Sequence, residues 1–177
     1  MSVSKILVFG ASNSKKSINK RLAVHAASIL QSDLSMSVEI DLIDLNDFDM
    51  PVFSPEREAE GNPEAAHAFF NRIGAADGLI ISFAEYNGNF TAAFKNIFDW
   101  SSRIEMKIFQ DKPVLALATS VGKRGGQNVH RLFMEAAPFF GAQVISQFNF
   151  GPFAEHFDTE TDSFKTPELA EELREAV

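Results

Sequence analysis

Three polar loops carry the residue types best suited to binding chemistry, and each follows a short apolar run. The first is Ala11-Ser12-Asn13-Ser14-Lys15-Lys16-Ser17-Ile18-Asn19, after residues 5–10. A helix starting near Ser17 leaves its first N–H groups unpaired and partially positive. An oxyanion placed there gains several hydrogen bonds at once. Ser12, Ser14 and Ser17 add hydroxyl donors, Asn19 an amide donor, and Lys15 and Lys16 add point charges. A plain serine cap would explain Ser17 alone; the whole cluster favours a phosphate. The second loop is Ala84-Glu85-Tyr86-Asn87-Gly88-Asn89, after residues 79–83. Asn87-Gly88 permits positive φ, which lets the main chain approach a flat ring. The third loop is residues 120–126, where Ser120 offers a hydroxyl and Gly122, Gly125 and Gly126 allow close backbone approach.

Other constellations are excluded. The first loop lacks the Gly-x-x-x-x-Gly-Lys-Ser/Thr phosphate pattern and the Gly-x-Gly-x-x-Gly dinucleotide pattern. Ser12-Asn13-Ser14-Lys15 matches the Ser-x-x-Lys of serine acylases, but the companion Ser-Asp-Asn and Lys-Thr-Gly are missing. There is no Gly-x-Ser-x-Gly elbow. His25, His67, His130 and His156 have no metal-ligand spacing and read as surface residues. Asp41, Asp44, Asp47 and Asp49 read as a solvated edge. The chain has no Cys, so thiolate chemistry, Cys-ligated metal and disulfides are excluded. Any redox chemistry must come from a cofactor.

The elements that position these loops alternate throughout. Apolar runs at 5–10, 78–83 and 113–119, a β-rich alternating stretch at 37–45, and residues 142–150 read as strands. Helical periodicity covers 17–31, 62–75, 90–103, 126–140 and a segment from Thr166 to the C-terminus, with Thr166 as cap and Pro167 first in the helix. Residues 46–63 read as one long irregular loop. Strict β/α alternation predicts an α/β fold with helices on both faces of a five-stranded parallel sheet in order 2-1-3-4-5. All three loops then fall on the carboxyl edge of one sheet, where open α/β folds bind ligands.

The 177 residues suit one domain, 1–177, and 45% hydrophobic residues are enough to fill a core. A net charge of −8 argues against nucleic acid as a partner. The only apolar stretch near the start is Ile6–Phe9, too short for a leader or a membrane span, which leads us to expect a cytoplasmic protein and no membrane partner. Phe occurs 18 times and reads as packing material; Tyr86 is the one tyrosine and sits in the second loop.

At these loops the chain resembles the NAD(P)H-dependent FMN reductases, a flavodoxin-like family that includes quinone, chromate and azo-dye reductases. Their first loop runs Gly-Ser-x-Arg-x-x-Ser-x-Asn; here Ala11 replaces the Gly and Ser14 the Arg. Their second motif runs Pro-Glu-Tyr-Asn-Gly, then Leu-Lys-Asn-x-x-Asp-Trp; here Ala84 replaces the Pro and Phe94 the Leu. Their Ser-x-Gly-x-x-Gly-Gly matches Ser120 through Gly126. The resemblance spans about residues 5–150. It implies a flavodoxin-like three-layer sandwich binding FMN, with the phosphate on Ser12, Ser14, Lys15, Ser17 and Asn19. It sets the ring between Glu85, Tyr86, Asn87, Gly88 and Asn89 on one side and Ser120, Gly122, Gly125 and Gly126 on the other. It implies NADPH or NADH as co-substrate, a small-molecule acceptor, no side-chain catalyst, no metal, and a homodimer or homotetramer with residues 46–63 as a candidate interface. A flavodoxin-type electron carrier, or a flavin-free binding protein, is the alternative.

Overall fold

The apolar runs pair side by side in the computed structural model, which describes residues 3–33 and 37–177. In chain order the elements are β1 (Ser4–Ala11), α1 (Ile18–Ser28), β2 (Val38–Leu42), α2 (Pro55–Glu58), α3 (Glu64–Gly74) and β3 (Gly78–Phe83). Two short strands follow, β4 (Glu85–Tyr86) and β5 (Asn89–Phe90), then α4 (Ala92–Ile104), β6 (Lys112–Thr119), α5 (Gln127–Ala136) and β7 (Ala142–Phe150). The chain closes with α6 (Phe153–His156), β8 (Phe157–Asp158), β9 (Ser163–Phe164) and α7 (Pro167–Ala176). The five long strands form one parallel sheet in the order β2-β1-β3-β6-β7. Counted as five, this is the expected 2-1-3-4-5.

Side-chain alternation along each strand sorts two cores. Leu7, Phe9 and Ala11 of β1 join Ile81 and Phe83 of β3 against Phe69 of α3, Phe94 of α4 and Phe133 of α5. Val8, one residue out of phase, packs on the other face with Ile80, Leu117, and Leu22 and Ala26 of α1, and Leu173 of α7. Burial on both faces is why the central strands read as continuous apolar runs. Each buried Phe contributes about 1.5–3 kcal/mol of transfer free energy. The rings are in contact with one another, Phe83 lying 4.3 Å from Phe133 and 5.5 Å from Phe94 between centroids.

The structure corrects several readings. Residues 46–63 are not one irregular loop. A tight turn at Leu45–Phe48 and the four-residue α2 interrupt them. The loop is tied to α4: Asn96 Nδ2 donates to the Met50 and Pro51 carbonyls, and Trp100 Nε1 donates to Pro51 at 2.7 Å. Such tethers join residues nearly fifty positions apart and leave no periodic trace in the sequence. Thr166 stands at the start of α7 but makes no side-chain cap; its hydroxyl bonds the His156 ring at 2.9 Å. Phe90 belongs to β5, and Thr91 caps α4 instead.

His130 is buried, not on the surface, with Nε2 3.1 Å from the Ala116 carbonyl. Asp41 is also buried, pairing with Arg72 at 2.6 Å and Lys5 at 3.4 Å, so it is no solvated edge. Asp44 accepts from Lys20 at 2.6 Å, which holds its carboxyl below the ordinary carboxylate value. Among the described residues, no helix is long and apolar enough to cross a membrane.

Candidate functional site

The carboxyl ends of β1, β3 and β6 meet at a cleft of about 250 Å³. Ser12, Ser14, Lys16, Ser17, Ile18 and Asn19 line it from the first loop, Ala84, Glu85 and Tyr86 from the second, Thr119, Ser120 and Val121 from the third. Parallel register puts these loops on one edge, because Ala11 lies opposite Phe83 and Phe83 opposite Ala118.

The first loop is built as a donor set. Ser17 caps α1, its Oγ accepting from the Lys20 N–H at 3.1 Å. The Ser12 Oγ accepts from the Ser14 N–H at 3.1 Å, and the Ser14 Oγ from the Lys16 N–H at 3.3 Å. Each hydroxyl oxygen is thus fixed by a backbone donor, and each keeps its own O–H proton to donate outward. Among the described residues, the N–H groups of Ile18 and Asn19 in the first turn of α1 have no acceptor. That is the open helix N-terminus expected of an anion site.

Two of the residues assigned to the phosphate stand apart from the serines in their surroundings. The Asn19 side chain is buried. Its amide donates to the Thr119 carbonyl at 3.0 Å, and its oxygen accepts from the Thr119 N–H at 3.0 Å and from the Ser82 hydroxyl at 2.8 Å. Asn19 therefore staples α1 to the ends of β3 and β6. Lys15 lines an adjoining groove along α1 that reaches Thr159 and Asp162; Lys16, Ser17 and Ile18 line both that groove and the cleft.

The second loop is a small hairpin. Glu85 pairs with Phe90 and Tyr86 with Asn89, and Asn87 and Gly88 make the turn at φ 52° and 75°. Asn-Gly is the preferred pair for such a turn. Tyr86 is 51% exposed and lines the cleft. Asn87 and Gly88 shape the turn and are not among the cleft-lining residues; Asn89 faces a different groove, beside Phe90 and Phe98. Glu85 reaches away from the hairpin: its Oε2 accepts from the Asn128 and Val129 N–H groups at 2.9 and 3.1 Å.

In the third loop Ser120 spends its hydroxyl locally, donating to the Gly122 carbonyl at 3.1 Å and accepting from the Gly122 N–H at 3.2 Å. Gly125 serves packing more than ligand approach. At φ 58° a Cβ there would sit 2.4 Å from the Phe150 carbonyl carbon. Gly126 is the left-handed residue that opens α5. Ala84, Thr119 and Val121 were not predicted. Only position marked them, each just past or at the end of an apolar strand. Val121 is 86% exposed at the lip of the cleft, opposite the tyrosine loop.

The model of the NADPH-dependent FMN reductase family matches residues 4–155. A 2-hydroxy-1,4-benzoquinone reductase of a Burkholderia species is 37% identical over 122 residues, 68% of this chain and 63% of that protein. An NAD(P)H-dependent FMN reductase of Pseudomonas aeruginosa is 33% identical over 120 residues, 68% of this chain and 63% of that one. The quinone reductase of Escherichia coli K12 is 31% identical over 100 residues, covering 56% and 53%. The chain thus spans between half and two thirds of the length of these relatives. Among solved structures, the flavoenzyme NAD(P)H:(acceptor) oxidoreductase of Paracoccus denitrificans superposes with TM-score 0.78 at 21% identity, covering 98% of this chain and 92% of that one. An azoreductase of Bacillus anthracis superposes at 0.64 and 16% identity, covering 98% and 94%. These structural likenesses establish the flavodoxin-like fold. With the family model matching most of its length, and with serine donors, hairpin and glycine loop gathered on one sheet edge, this chain belongs to the NADPH-dependent FMN reductase family.

Proposed function

We propose that the chain is an FMN-dependent oxidoreductase that takes hydride from NADPH or NADH and passes the electrons to a small acceptor. Quinones lead the candidates, with azo compounds, metal oxyanions and free flavin as the wider set. One observation carries this reading: the open N-terminus of α1, with Ser12, Ser14 and Ser17, shares a cleft with Tyr86 and Val121.

The residues fit FMN. Three hydroxyl protons and two unpaired backbone N–H groups suit a phosphate at the first loop. Ala84, Tyr86 and Val121 give a flat ring apolar surface to lie against. Bound FMN would supply the hydride and electron transfer itself. The chain's part is to hold the phosphate, orient the ring and leave one face open. Tyr86 is 51% exposed and Val121 86%, so the apolar end of the cleft is open to solvent, where reductant and acceptor can take turns. Lys16, at the mouth of the phosphate loop, stands as the cation where the family pattern has Arg in place of Ser14.

The reading extends to a homodimer or homotetramer in the cytoplasm. Phe139, 68% exposed beside Met106 on the α4–α5 face, is apolar surface that association would cover. Sedimentation measures that directly. The function itself is tested by loading the protein with FMN, removing free flavin, and adding NADPH or NADH without oxygen. Bleaching of the yellow protein supports the reductase. A yellow protein that neither nicotinamide bleaches is an electron carrier, and a colourless protein overturns the FMN site.

A further inference from the structure

The first turn of α5 has a gap that its own sequence cannot fill. Its cap residue, Gly126, has no side chain to offer an acceptor. The acceptor comes from 43 residues away, where Glu85 Oε2 takes the N–H groups of Asn128 and Val129. Glu85 Oε1 takes the Asn128 side-chain amide at 3.3 Å. Asn128 also packs on the hairpin turn: a Cβ on Gly88 would lie 3.6 Å from its Nδ2. The hairpin consists of only two residue pairs. A ribbon that short has little stability of its own. Its position therefore depends on what holds it from outside.

We propose that Glu85 is a positioning residue: its carboxylate caps α5, locks the tyrosine hairpin to the first turn of that helix, and places a negative charge at the ring end of the cleft. The proposal rests on the FMN reading for its electrochemical half only. A helix N-terminus carries about half a positive charge, so a full carboxylate there leaves a net negative site beside the ring. Such a charge opposes the arrival of electrons and keeps the potential of bound FMN low. It also uses up the dipole of α5, which makes that terminus a poor place for a second anion.

Two variants separate geometry from charge. Glu85→Gln keeps an oxygen for the two N–H groups and removes the charge; Glu85→Ala removes both. In the protein without FMN, amide exchange at Asn128 and Val129 should stay within about threefold of the parent in Glu85→Gln and quicken at least about tenfold in Glu85→Ala. With FMN, Glu85→Gln should bind within about threefold of the parent and show a raised midpoint potential. Glu85→Ala should bind about tenfold more weakly. Parent-like exchange in Glu85→Ala overturns the clamp. An unchanged potential in Glu85→Gln, or no FMN binding by the parent, overturns the charge effect. The exchange result decides the clamp even if the FMN reading fails.

Discussion

Helices α1 and α5 both begin on the ligand edge of the sheet, and their first turns are finished in opposite ways. In α1 the cap is local: Ser17 satisfies Lys20, while Ile18 and Asn19 keep N–H groups without an acceptor among the described residues. In α5 the cap is remote and complete, with one carboxylate taking two N–H groups. One terminus keeps open N–H groups; the other already holds a carboxylate. Two helix dipoles at one edge therefore do not make two anion sites. What decides is whether the protein has filled the terminus itself.

The strongest way to break this contrast is to make α1 resemble α5. Ser17→Asp keeps a good cap, so the melting temperature without FMN should hold or rise. It also puts a carboxylate where the phosphate would bind, and FMN affinity should fall by more than about a hundredfold, equivalent to about 2.7 kcal/mol. Retained affinity, read by quenching of flavin fluorescence, would mean the phosphate lies elsewhere.

Of similar size is the effect of Asn19→Ala. It strips partners from the Thr119 N–H and the Ser82 hydroxyl, both buried. Unsatisfied buried groups cost about 1–3 kcal/mol each. Loss of about 3 kcal/mol, or roughly 10 °C in melting temperature, is expected. An unchanged melt would show that the staple is dispensable. Gly125→Ala tests the α5 side, since a Cβ would meet the Phe150 backbone at a left-handed φ. A cost of at least about 2 kcal/mol is expected, measured by urea denaturation.

A smaller effect concerns pH. Burial pushes the His130 pKa down, and the Ala116 carbonyl and Asn149 only partly offset it. The folded state therefore takes up a proton less readily than the unfolded chain. Stability from neutral His130 is present above the ordinary value of 6.5 and is lost as pH falls below it. His130→Gln should flatten the stability profile below that point, and an identical slope would count against the assignment. The smallest effect should be Lys15→Ala, under about threefold on FMN affinity, because Lys15 faces the outer groove. Lys16→Ala should exceed it; the reverse order would merge the two grooves into one site.

The sheet was legible because its central strands are apolar on both faces, its outer strands alternate, and turn residues bound them. Residues 78–83 and 142–150 were read to the residue as β3 and β7. The three loops were legible because parallel topology forces them to one edge. What the sequence concealed was the partner of each polar side chain. Asn19 and Ser17 lie two residues apart and look equally suited to a phosphate. Both line the cleft, but the Asn19 side chain is held by groups 63 and 100 residues away. Glu85 reads as part of the ring loop until Asn128 is seen against it. His130 looked like a surface residue because helical spacing does not tell which face a lone histidine takes. Spacing reports which face a residue shares with its neighbours; the bond it makes across space depends on the finished packing.

The last strand of the sheet carries one residue too many. Val114 faces Val144, yet Leu115 faces Ser146, so Ile145 is left out of step and 71% exposed. The outer side of β7 belongs to a strand at the sheet's end, where unpaired amides and carbonyls can template another chain. An incoming strand would need a regular row of donors and acceptors, and the extra residue breaks that row midway. Removing Ile145 would restore the row, and the product to expect is fibrous aggregate.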